Sequence, residues 1–441
     1  MIKRLLVANR GEIAVRIMRS CREMGIETVA VYSTADSDSL HVRLADRAVC
    51  IGPAPSAQSY LSMNNLVTAA LHTGCEALHP GVGFLSENAA FAKLVNDNGL
   101  VFIGPSPEHL DLLGDKVRAR ATARKHGLPV TPGTDAVETA DKAVESAERL
   151  GFPVIIKAAS GGGGKGMRIA RNAAELKENI AVASREAEAH FADGTVFIEK
   201  YLENPRHVEL QILSDGGNVA VLGERDCTVQ KNHQKLIEES PSPAVDSAMR
   251  ASMAAGAVPL FRGLKYRGAA TIEFLVEDGS FYFMEVNARV QVEHPVSEMV
   301  SGTDIIRAQI LACIEGRMDI DPEKVSLSGW AVECRVNALA PGRVERLEIP
   351  GGPGLRFDSF LYPGCGVSPH YDSMVAKLIA HDADREKALD RMDRALGELV
   401  IAGIPTNIDR QRRIVNHPTF RSGGFGTSYY AEIEKEIEGA L

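Results

Sequence analysis

Along the first 113 residues, short apolar runs alternate with amphipathic helical patterns. The apolar runs at residues 5–8, 27–32, 77–79 and 100–104 predict strands, because each is short and bounded by polar or glycine-containing segments. Helical patterns lie between them. Strands that alternate with helices in this way predict a doubly wound parallel sheet and an α/β fold for this part of the chain.

From residue 114 onward the pattern changes to helices followed by hairpins. Two helices, from about residue 115 and at about 138–150, precede predicted strands at 153–157, 167–170 and 195–202. Residues 206–213 alternate polar and apolar side chains and are predicted to pair with 218–226. The next segment, residues 224–235, is dense in charge, and we expect it to be a solvated loop.

Residues 271–287 predict another hairpin, whose register decides where its acidic side chains point. With a three-residue loop at 278–280, Glu273 lies directly opposite Glu285 and shares a face with Asn287. The other face then carries only apolar side chains, namely Ile272, Phe274, Val276, Tyr282, Met284 and Val286. A two-residue Asp-Gly loop would mix polar and apolar side chains on both faces, so we predict the three-residue loop.

Glu273, Glu285 and Asn287 would thus bring two carboxylates and an amide oxygen to one surface. Carboxylates this close repel each other, and a hard divalent cation relieves the repulsion. Oxygen-only ligands favour Mg²⁺ or Mn²⁺. The alternative is an ordinary half-solvated hairpin; the polar alternation that continues past Asn287 favours the metal site.

Four consecutive glycines, residues 161–164, follow a predicted strand that ends in Lys157. Glycines let a phosphate chain approach backbone N–H groups, and a lysine at the inner end of an apolar strand needs an anion. A glycine run alone is more often a flexible loop, and the Walker A pattern fails because Gly166 follows Lys165. The strand, the lysine and the glycine loop together favour a nucleoside triphosphate.

The 441-residue chain is too long for a single core, and an acidic, proline-containing segment at 318–324 predicts a boundary. Beyond this segment, short strands and a helix near 384–400 predict a smaller α+β domain. We therefore expect three domains, at residues 1–113, 114–317 and 325–437.

Charge and cysteine content exclude several classes of function. A net charge of −9 argues against nucleic acid as the main partner, because phosphate binding needs a basic surface. Seven scattered cysteines without a Cys-x-x-Cys pair indicate reduced cytosolic thiols rather than disulfides or a zinc site. No apolar run reaches the roughly 18 residues of a membrane span, so we expect a cytoplasmic protein.

Longer motifs resemble those of the biotin carboxylases, a family within the ATP-grasp superfamily. They are ANRGEIA (8–14), HPGVGFLSEN (79–88), EKYLENPRHVE (199–209), ERDC (224–227), HQK (233–235), RVQVEHPV (289–296) and AVECR (331–335). The match runs almost end to end. It implies a central ATP-grasp domain with a mobile lid at about 130–205, and ATP-dependent carboxylation of biotin carried on a separate protein.

The resemblance also implies roles for individual side chains. ATP would be held by Lys116, Lys157, Gly163, Gly164, Glu199, Lys200, Tyr201, Leu202, His207, His233 and Glu273. Glu273, Glu285 and Asn287 would bind Mg²⁺ or Mn²⁺. Bicarbonate would lie among Lys235, Arg289, Gln291, Val292 and Glu293, and Arg335 would contact the ureido group of biotin.

In the implied reaction, Glu293 removes the proton of bicarbonate, which then attacks the γ-phosphate of ATP. The carboxyphosphate product breaks down to CO₂ and phosphate beside biotin. That phosphate takes the ureido proton, and Arg289 stabilises the resulting biotin enolate. Lys235 completes the catalytic set, and a closed lid excludes water from the intermediate.

Three features depart from the family pattern. Val82 stands where the family usually has Tyr, near the expected biotin pocket, and Lys231-Asn232 replaces the usual pair of arginines. The stretch after Asn337 is shorter than usual and lacks a Glu-Asp-Pro sequence. We expect a shortened surface loop there, with catalysis kept and partner docking or assembly changed.

No segment resembles the Ala-Met-Lys-Met context that accepts biotin. We therefore expect one subunit of a multi-subunit acetyl-CoA carboxylase of fatty acid synthesis, working as a homodimer with a biotin carboxyl carrier protein and carboxyltransferase subunits. The alternatives are a subunit of another acyl-CoA or pyruvate carboxylase, another ATP-grasp ligase, and a nucleotide-binding regulatory subunit without turnover. The presence of Lys235, Arg289 and Glu293 disfavours the regulatory subunit.

Overall fold

The computed structural model describes residues 2–137, 139–159, 167–191 and 193–438. Its N-terminal strands are β1 (Arg4–Val7), β2 (Glu27–Ser33), β3 (Arg47–Gly52), β4 (Ala77–His79) and β5 (Val101–Phe102). The order β3-β2-β1-β4-β5, with every pair parallel, confirms the predicted doubly wound sheet. Only β3 was not predicted, because most of its side chains are exposed and it lacks an apolar run.

Helices connect and cover these strands: α1 (Gly11–Glu23), α2 (Leu40–Leu44), α3 (Met63–His72), α4 (Ala89–Asp97) and α5 (Pro107–Gly114). Helix α4 begins where the Asn88 side chain accepts a hydrogen bond from the N–H of Phe91, and Ser106 caps α5 in the same way. These caps explain why the polar loops after β4 and β5 turn into helices at those residues.

Helix α6 (Lys116–Lys125) comes next, and its Ala119 and Ala123 pack in the same apolar cluster as Phe274. The residues after it form a compact unit with its own core, made of α7 (Ala140–Leu150), β6 (Val154–Ala158), β7 (Arg168–Ala170), α8 (Ala173–Phe191) and β8 (Val196–Lys200). Its antiparallel sheet has the order β7-β6-β8. Ile156 and Ile198 pack there against Ala147 and Leu176. The glycine loop, including Gly163 and Gly164, lies outside the described residues.

The rest of the chain is built on one large antiparallel sheet. Its elements are, in order, β9 (Arg206–Asp215), β10 (Val219–Lys231), β11 (Gln234–Ser240), α9 (Ser247–Leu264), β12 (Arg267–Glu277), β13 (Ser280–Asn287), α10 (His294–Ser301), α11 (Ile305–Glu315), β14 (Trp330–Asn337), β15 (Gly342–Arg343), β16 (Arg346–Glu348), β17 (Leu355–Ser359), β18 (Gly366–Val367), β19 (Met374–Asp382), α12 (Arg385–Glu398), β20 (Val400–Ala402), α13 (Ile408–Asn416), α14 (Pro418–Ser422) and α15 (Tyr429–Glu438).

The order of that sheet is β13-β12-β9-β10-β11-β14-β19-β17. The C-terminal strands β14, β19 and β17 thus continue the sheet begun by β9 to β13, through the β11–β14 pair. Side chains from the central and C-terminal parts of the chain can therefore meet on one surface. No helix in the described part of the chain is long and apolar enough to cross a membrane.

Residues 224–235, which we expected to be a solvated loop, instead form most of the β10–β11 hairpin. Arg225 is 0% exposed and Asp226 only 2%. Arg225 lies 2.5 Å from Glu209, and Asp226 lies 2.7 Å from Arg206, so each buried charge has an opposite partner. The expectation was wrong because the charges neutralise one another inside the protein rather than in water.

The β12–β13 hairpin confirms that Glu273 lies directly opposite Glu285, but the turn that produces this register differs from the predicted one. Asp278 and Gly279 form a two-residue turn with φ values of 49° and 72°, so the three-residue loop was wrong. A β-bulge at Met284 adds one residue to β13 and restores the register.

The bulge also changes which side chains of β13 face the core. Phe283 is 2% exposed and packs in the same apolar cluster as Phe274. Met284, which we predicted on that apolar face, lines a cavity together with Glu285. Tyr282, also predicted there, is half-buried and outside the apolar cluster. The predicted apolar face is therefore correct for β12 and wrong for these two residues of β13.

Candidate active site

A cavity of about 470 Å³ brings together residues from all parts of the chain. The compact unit of α7, α8 and its three-stranded sheet contributes one wall, and the large sheet contributes another. Of the side chains predicted from the sequence, its lining includes Lys116, Lys157, Glu199, His207, His233, Lys235, Glu273, Glu285, Asn287, Arg289, Gln291, Val292, Glu293 and Arg335. The structure thus gathers most of the predicted site around one space.

Lys235, on β11, is at the centre of the charged groups. Its ammonium donates hydrogen bonds to Glu209 at 2.7 Å, Glu273 at 3.2 Å and Glu293 at 2.6 Å. Burial disfavours the charged form, but the surrounding anionic groups outweigh burial and raise the pKa of Lys235 well above its ordinary value. Lys235 is therefore a fixed positive charge at neutral pH, able to attract an anion.

Glu293 is 2% exposed and follows β13 in the segment that leads to α10. Burial favours its neutral form, yet Lys235, Arg335 and Arg225 together hold the pKa of Glu293 well below its ordinary value. Arg335 contributes through a hydrogen bond of 3.0 Å from Nη2. Glu293 is consequently ionised at neutral pH and available as a proton acceptor.

His207, on β9, is held by the protein through both ring nitrogens. Gln230 donates to Nδ1 at 2.6 Å, and Nε2 donates to Glu273 at 2.9 Å. Burial opposes the charged imidazolium, but Glu273 reverses that effect and raises the pKa of His207. In this arrangement the imidazole orients a carboxylate of the proposed metal site, while its predicted contact with adenosine stays a prediction.

The donor set of Glu273, Glu285 and Asn287 fits a hard divalent cation, since it offers two carboxylates and an amide oxygen on neighbouring strands. Each group is bonded to nitrogen in the structure. Asn287 donates to Glu273 at 2.8 Å and accepts from Arg289 at 3.0 Å through its amide oxygen, while Lys116 lies 2.9 Å from Glu285. The amide oxygen of Asn287 has a second lone pair, so its bond to Arg289 does not prevent it from ligating a cation.

The two lysines predicted to hold phosphates each face a carboxylate across the cavity wall. Lys116 lies against Glu285, and Lys157 donates to Glu199 at 2.5 Å. Arg120 also lies 3.1 Å from Glu199 and lines the same cavity. The charge of each lysine is thus balanced by a carboxylate of the cavity wall, and the phosphate contacts of both lysines stay predictions.

Three predicted nucleotide-binding residues do not line the cavity: Lys200, Tyr201 and Leu202. The ammonium of Lys200 donates to the backbone carbonyls of Gly151 and Phe152, at 2.9 and 3.2 Å. Its charge is therefore directed to the C-terminal end of α7. The nucleotide-binding roles of Lys200, Tyr201 and Leu202 stay predictions. The same holds for Gly163 and Gly164, which lie outside the described residues.

The segment predicted to bind bicarbonate is held in place on several sides. Glu87, from the N-terminal part, accepts from Arg289 Nε at 2.8 Å and from the N–H of Ala288 at 3.0 Å. Gln291 donates to Glu273 at 3.0 Å, and the carbonyl of Val292 accepts from Lys377 at 2.7 Å. The backbone and side chains of this segment are thus fixed before any ligand binds.

Sequence reasoning missed four charged residues that support the site. Glu87 and Glu209 have the contacts given above, Glu238 accepts from Arg335 at 2.5 Å, and Arg225 lies under the site with no exposed surface. Arg225 donates to Glu209, Gln211, Ser297, Thr271 and Gln291. Glu87, Glu209 and Arg225 lie within the quoted motifs at 79–88, 199–209 and 224–227, but the motifs alone assigned them no role.

A second cavity of about 450 Å³ adjoins the first, and Val82, Val292 and Arg335 line both. Arg335 therefore faces a space beyond the nucleotide side of the site. Of the other departures from the family pattern, Lys231 forms an ion pair of 2.7 Å with Glu434 on α15. The stretch after Asn337 is exposed from residue 339 to 343, as expected for a surface loop.

Comparisons with known proteins agree with this architecture. Three family models match successive parts of the chain: the biotin carboxylase N-terminal domain at residues 1–110, the carbamoyl-phosphate synthase L chain ATP binding domain at 115–317, and the biotin carboxylase C-terminal domain at 333–432. Biotin carboxylase 1 of Bacillus subtilis (strain 168) is 49% identical over 441 residues, covering 97% of this chain and 98% of that protein.

Two solved structures are similar over nearly the whole chain. The biotin carboxylase–β-γ-ATP complex from Campylobacter jejuni has a TM-score of 0.94 at 43% identity, covering 98% of this chain and 99% of that one. The biotin carboxylase domain dimer of Hydrogenobacter thermophilus 2-oxoglutarate carboxylase, with MgADP, ADP and bicarbonate, has a TM-score of 0.93 at 41% identity, covering 99% of each chain. The chain therefore belongs to the biotin carboxylase family, a family of ATP-dependent enzymes.

Proposed function

We propose that this chain uses ATP and bicarbonate to carboxylate biotin on a separate carrier protein, as the first half-reaction of acetyl-CoA carboxylase. The observation that carries this proposal is that Lys235 and Arg335 both bond to Glu293 in a cavity that Lys116 and Lys157 also line. The first group is suited to a small anion and its proton acceptor, and the two lysines are suited to a triphosphate.

Lys235 and Glu293 divide the handling of bicarbonate between them. The ammonium of Lys235 attracts the anion, and the ionised carboxylate of Glu293 accepts its proton, which makes the remaining oxygen a better nucleophile. Lys235 then lies 2.6 Å from a neutral acid and is free to stabilise the charge that develops on the attacking oxygen. The product of attack on the γ-phosphate is carboxyphosphate.

The lysines and the acidic trio act on the nucleotide. Lys116 and Lys157 would hold the phosphate chain in line with the attacking oxygen, covered by Gly163 and Gly164. Glu273, Glu285 and Asn287 would hold Mg²⁺, which when bound neutralises charge on the β- and γ-phosphates. Glu199 would release Lys157 when phosphate oxygens arrive, because each ammonium then has a stronger anionic partner.

Biotin would occupy the side of the site where the two cavities meet. Arg335, which lines both cavities, would donate to the ureido oxygen, and Arg289, 19% exposed in its side chain, would stabilise the enolate that forms when the ureido proton leaves. Val82 lines this region and offers only an apolar surface. The subunit would work with a biotin carboxyl carrier protein and carboxyltransferase subunits, as a homodimer.

The first experiment measures ATP hydrolysis by the purified chain with and without bicarbonate, and with free biotin added. Hydrolysis that requires bicarbonate and rises with biotin supports the proposed reaction. Hydrolysis that ignores bicarbonate would refute it. Glu293→Gln should lower kcat by about 10²–10⁴-fold, because the amide cannot accept the proton, while nucleotide affinity is kept; an active Glu293→Gln enzyme would refute the assignment of the base.

A second candidate is the biotin carboxylase subunit of a carboxylase for another acyl-CoA, pyruvate or another 2-oxo acid. The similarity to the 2-oxoglutarate carboxylase domain, at 41% identity, favours this possibility. Reconstitution distinguishes the two: the chain would be mixed with biotinylated carriers and carboxyltransferases of each type, and transfer of labelled carbonate to each acceptor measured. Transfer to acetyl-CoA alone supports the acetyl-CoA carboxylase.

A further inference from the structure

Two carboxyl groups face each other in the sheet directly behind Arg335. Glu238, on β11, lies opposite Glu333, on β14, in the antiparallel register, and both are 0% exposed. Directly opposed residues of an antiparallel pair project to the same face of the sheet. The two acids therefore share one dry environment, which two negative charges cannot occupy at low cost.

Arg335 lies between Glu238 and Glu293, the proposed proton acceptor. Its Nε donates to Glu238 Oε1 at 2.5 Å, its Nη2 lies 2.5 Å from the same oxygen, and Nη2 also donates to Glu293 Oε2 at 3.0 Å. No described residue bonds to its Nη1. Glu238 thus holds two nitrogens of the guanidinium from behind and leaves the third for a ligand.

The remaining carboxyl oxygens of the pair have no protein partner among the described residues: Glu238 Oε2 and both oxygens of Glu333. Burial is the main reason why the pKa of Glu238 rises to about 7, with Arg335 opposing that rise. Burial raises the pKa of Glu333 further, well above its ordinary value, and Lys377 opposes it only in part. Because Arg335 bonds to Glu238 and no described residue bonds to Glu333, the single negative charge of the pair lies on Glu238, and Glu333 is the member that keeps its proton.

The titratable and charged groups around Glu238 lie on three strands and in the segment before α10. They are Lys235 on its own strand, Cys227 on β10, Glu333, Cys334 and Arg335 on β14, and Glu293 before α10. Burial keeps Cys227 and Cys334 as thiols at pH 7. Arg335 is consequently the nearest partner whose position depends on the charge of Glu238.

We propose that Glu238 is a positioning residue for Arg335, whose ionised carboxylate holds the guanidinium toward the biotin side of the cavity, while neutral Glu333 keeps the pair at a single negative charge. The inference rests on the contact with biotin proposed for Arg335. When Glu238 is protonated, Arg335 keeps only its bond to Glu293. The guanidinium of Arg335 then shifts toward Glu293 and away from biotin.

The test compares Glu238→Gln with the wild-type chain in biotin-stimulated ATP hydrolysis between pH 6 and 8. For the wild type, the KM for free biotin should rise as the pH falls below about 7, since Glu238 loses its charge. Glu238→Gln should raise that KM on the order of tenfold at pH 8 and remove its pH dependence, with the KM for ATP unchanged. A merely structural role would not produce this separation of the two KM values.

Glu333→Gln is the matched control, because Glu333 is equally buried on the neighbouring strand and has no hydrogen bond to Arg335. Its amide resembles the neutral acid that it replaces, so both the KM for biotin and its pH dependence should be kept. Glu238→Asp, which keeps the charge but shortens its reach, should give an intermediate KM that still depends on pH.

Arg335→Met separates failure of this inference from failure of the proposed biotin contact. If Arg335→Met leaves the KM for biotin unchanged, the proposed contact is wrong, and the inference falls with it. If Arg335→Met raises the KM and Glu238→Gln does not, only the inference is overturned. If Glu238→Gln does not fold, a wild-type KM for biotin that is constant from pH 6 to 8 overturns the inference by itself.

Discussion

Replacing Arg225 by Met tests how far the site depends on a charge that no ligand touches. Arg225 has no exposed surface and donates five hydrogen bonds, of 2.5 to 3.1 Å, to residues on β9, β12 and α10 and to Gln291. Methionine fills a similar volume but leaves Glu209, also 0% exposed, without the bond to its Oε1. Lys235 would still donate to the other oxygen of that carboxylate, Oε2.

Removing one member of a buried, hydrogen-bonded ion pair costs about 3–5 kcal/mol, because the other charge stays buried without compensation. We expect Arg225→Met to lower the free energy of unfolding by about that amount, as measured by urea titration of the full chain. The double variant Arg225→Met/Glu209→Leu should recover more than half of the loss, since it removes the stranded charge as well.

Arg118→Met is the matched control, because Arg118 forms an ion pair of similar length, 2.6 Å, with Asp111 in an exposed position. Solvent screens that pair, so the control should unfold at the same urea concentration as the wild type. A loss below about 1 kcal/mol for Arg225→Met would refute the view that Arg225 compensates a buried charge. A double variant no more stable than the single one would refute it too.

Three further predictions concern other parts of the structure. Lys200→Met should leave the KM for ATP within about threefold of the wild type in steady-state assays, because the ammonium binds backbone carbonyls at the end of α7. Glu285→Gln should raise the Mg²⁺ concentration needed for half-maximal ATP hydrolysis about tenfold or more, since one charged ligand is lost. Burial acts to raise the pKa of Asp36, but Arg10, 2.7 Å away, lowers it below the ordinary 3.8. The Arg10–Asp36 ion pair therefore stabilises the fold above pH 3.8, and this stabilisation is lost as the pH falls further. Asp36→Asn should lower the melting temperature at pH 7 and should lower it by less at pH 3.

The sequence predicted those parts of the fold that depend on local pattern. Apart from β3, the strands of the N-terminal sheet follow from short-range periodicity, and their parallel order follows from the βα alternation. It did not predict that β14 pairs with β11, because that contact joins residues nearly a hundred positions apart and leaves no mark on either strand. The third region was predicted only as a smaller α+β domain, and the structure adds that its strands β14, β19 and β17 extend the central sheet.

The β12–β13 hairpin shows how a correct site was predicted with an incorrect loop. Segregation of polar and apolar side chains required Glu273 to face Glu285, and the structure agrees. The Asp-Gly pair independently favoured a two-residue turn, and the structure also has that turn. The face segregation and the Asp-Gly turn conflicted only because a bulge at Met284 was not considered. Such a bulge costs little free energy here, because the extra side chain lies against a cavity.

The residues that sequence reasoning missed have a common cause. Alternating polar side chains on a strand indicate one polar face, and such a face is ordinarily exposed to water, so His207, Glu209 and Gln211 gave no reason to expect burial. What meets that face includes α10 and the segment before it, whose Ser297 and Gln291 accept from Arg225 beside Glu209 and Gln211. Glu209 then becomes a partner of both Arg225 and Lys235. When adjacent strands carry positive and negative side chains on the same face, the pattern therefore indicates a covered site rather than a solvated surface. In water each charge is solvated separately, so nothing would require a positive charge beside each negative one.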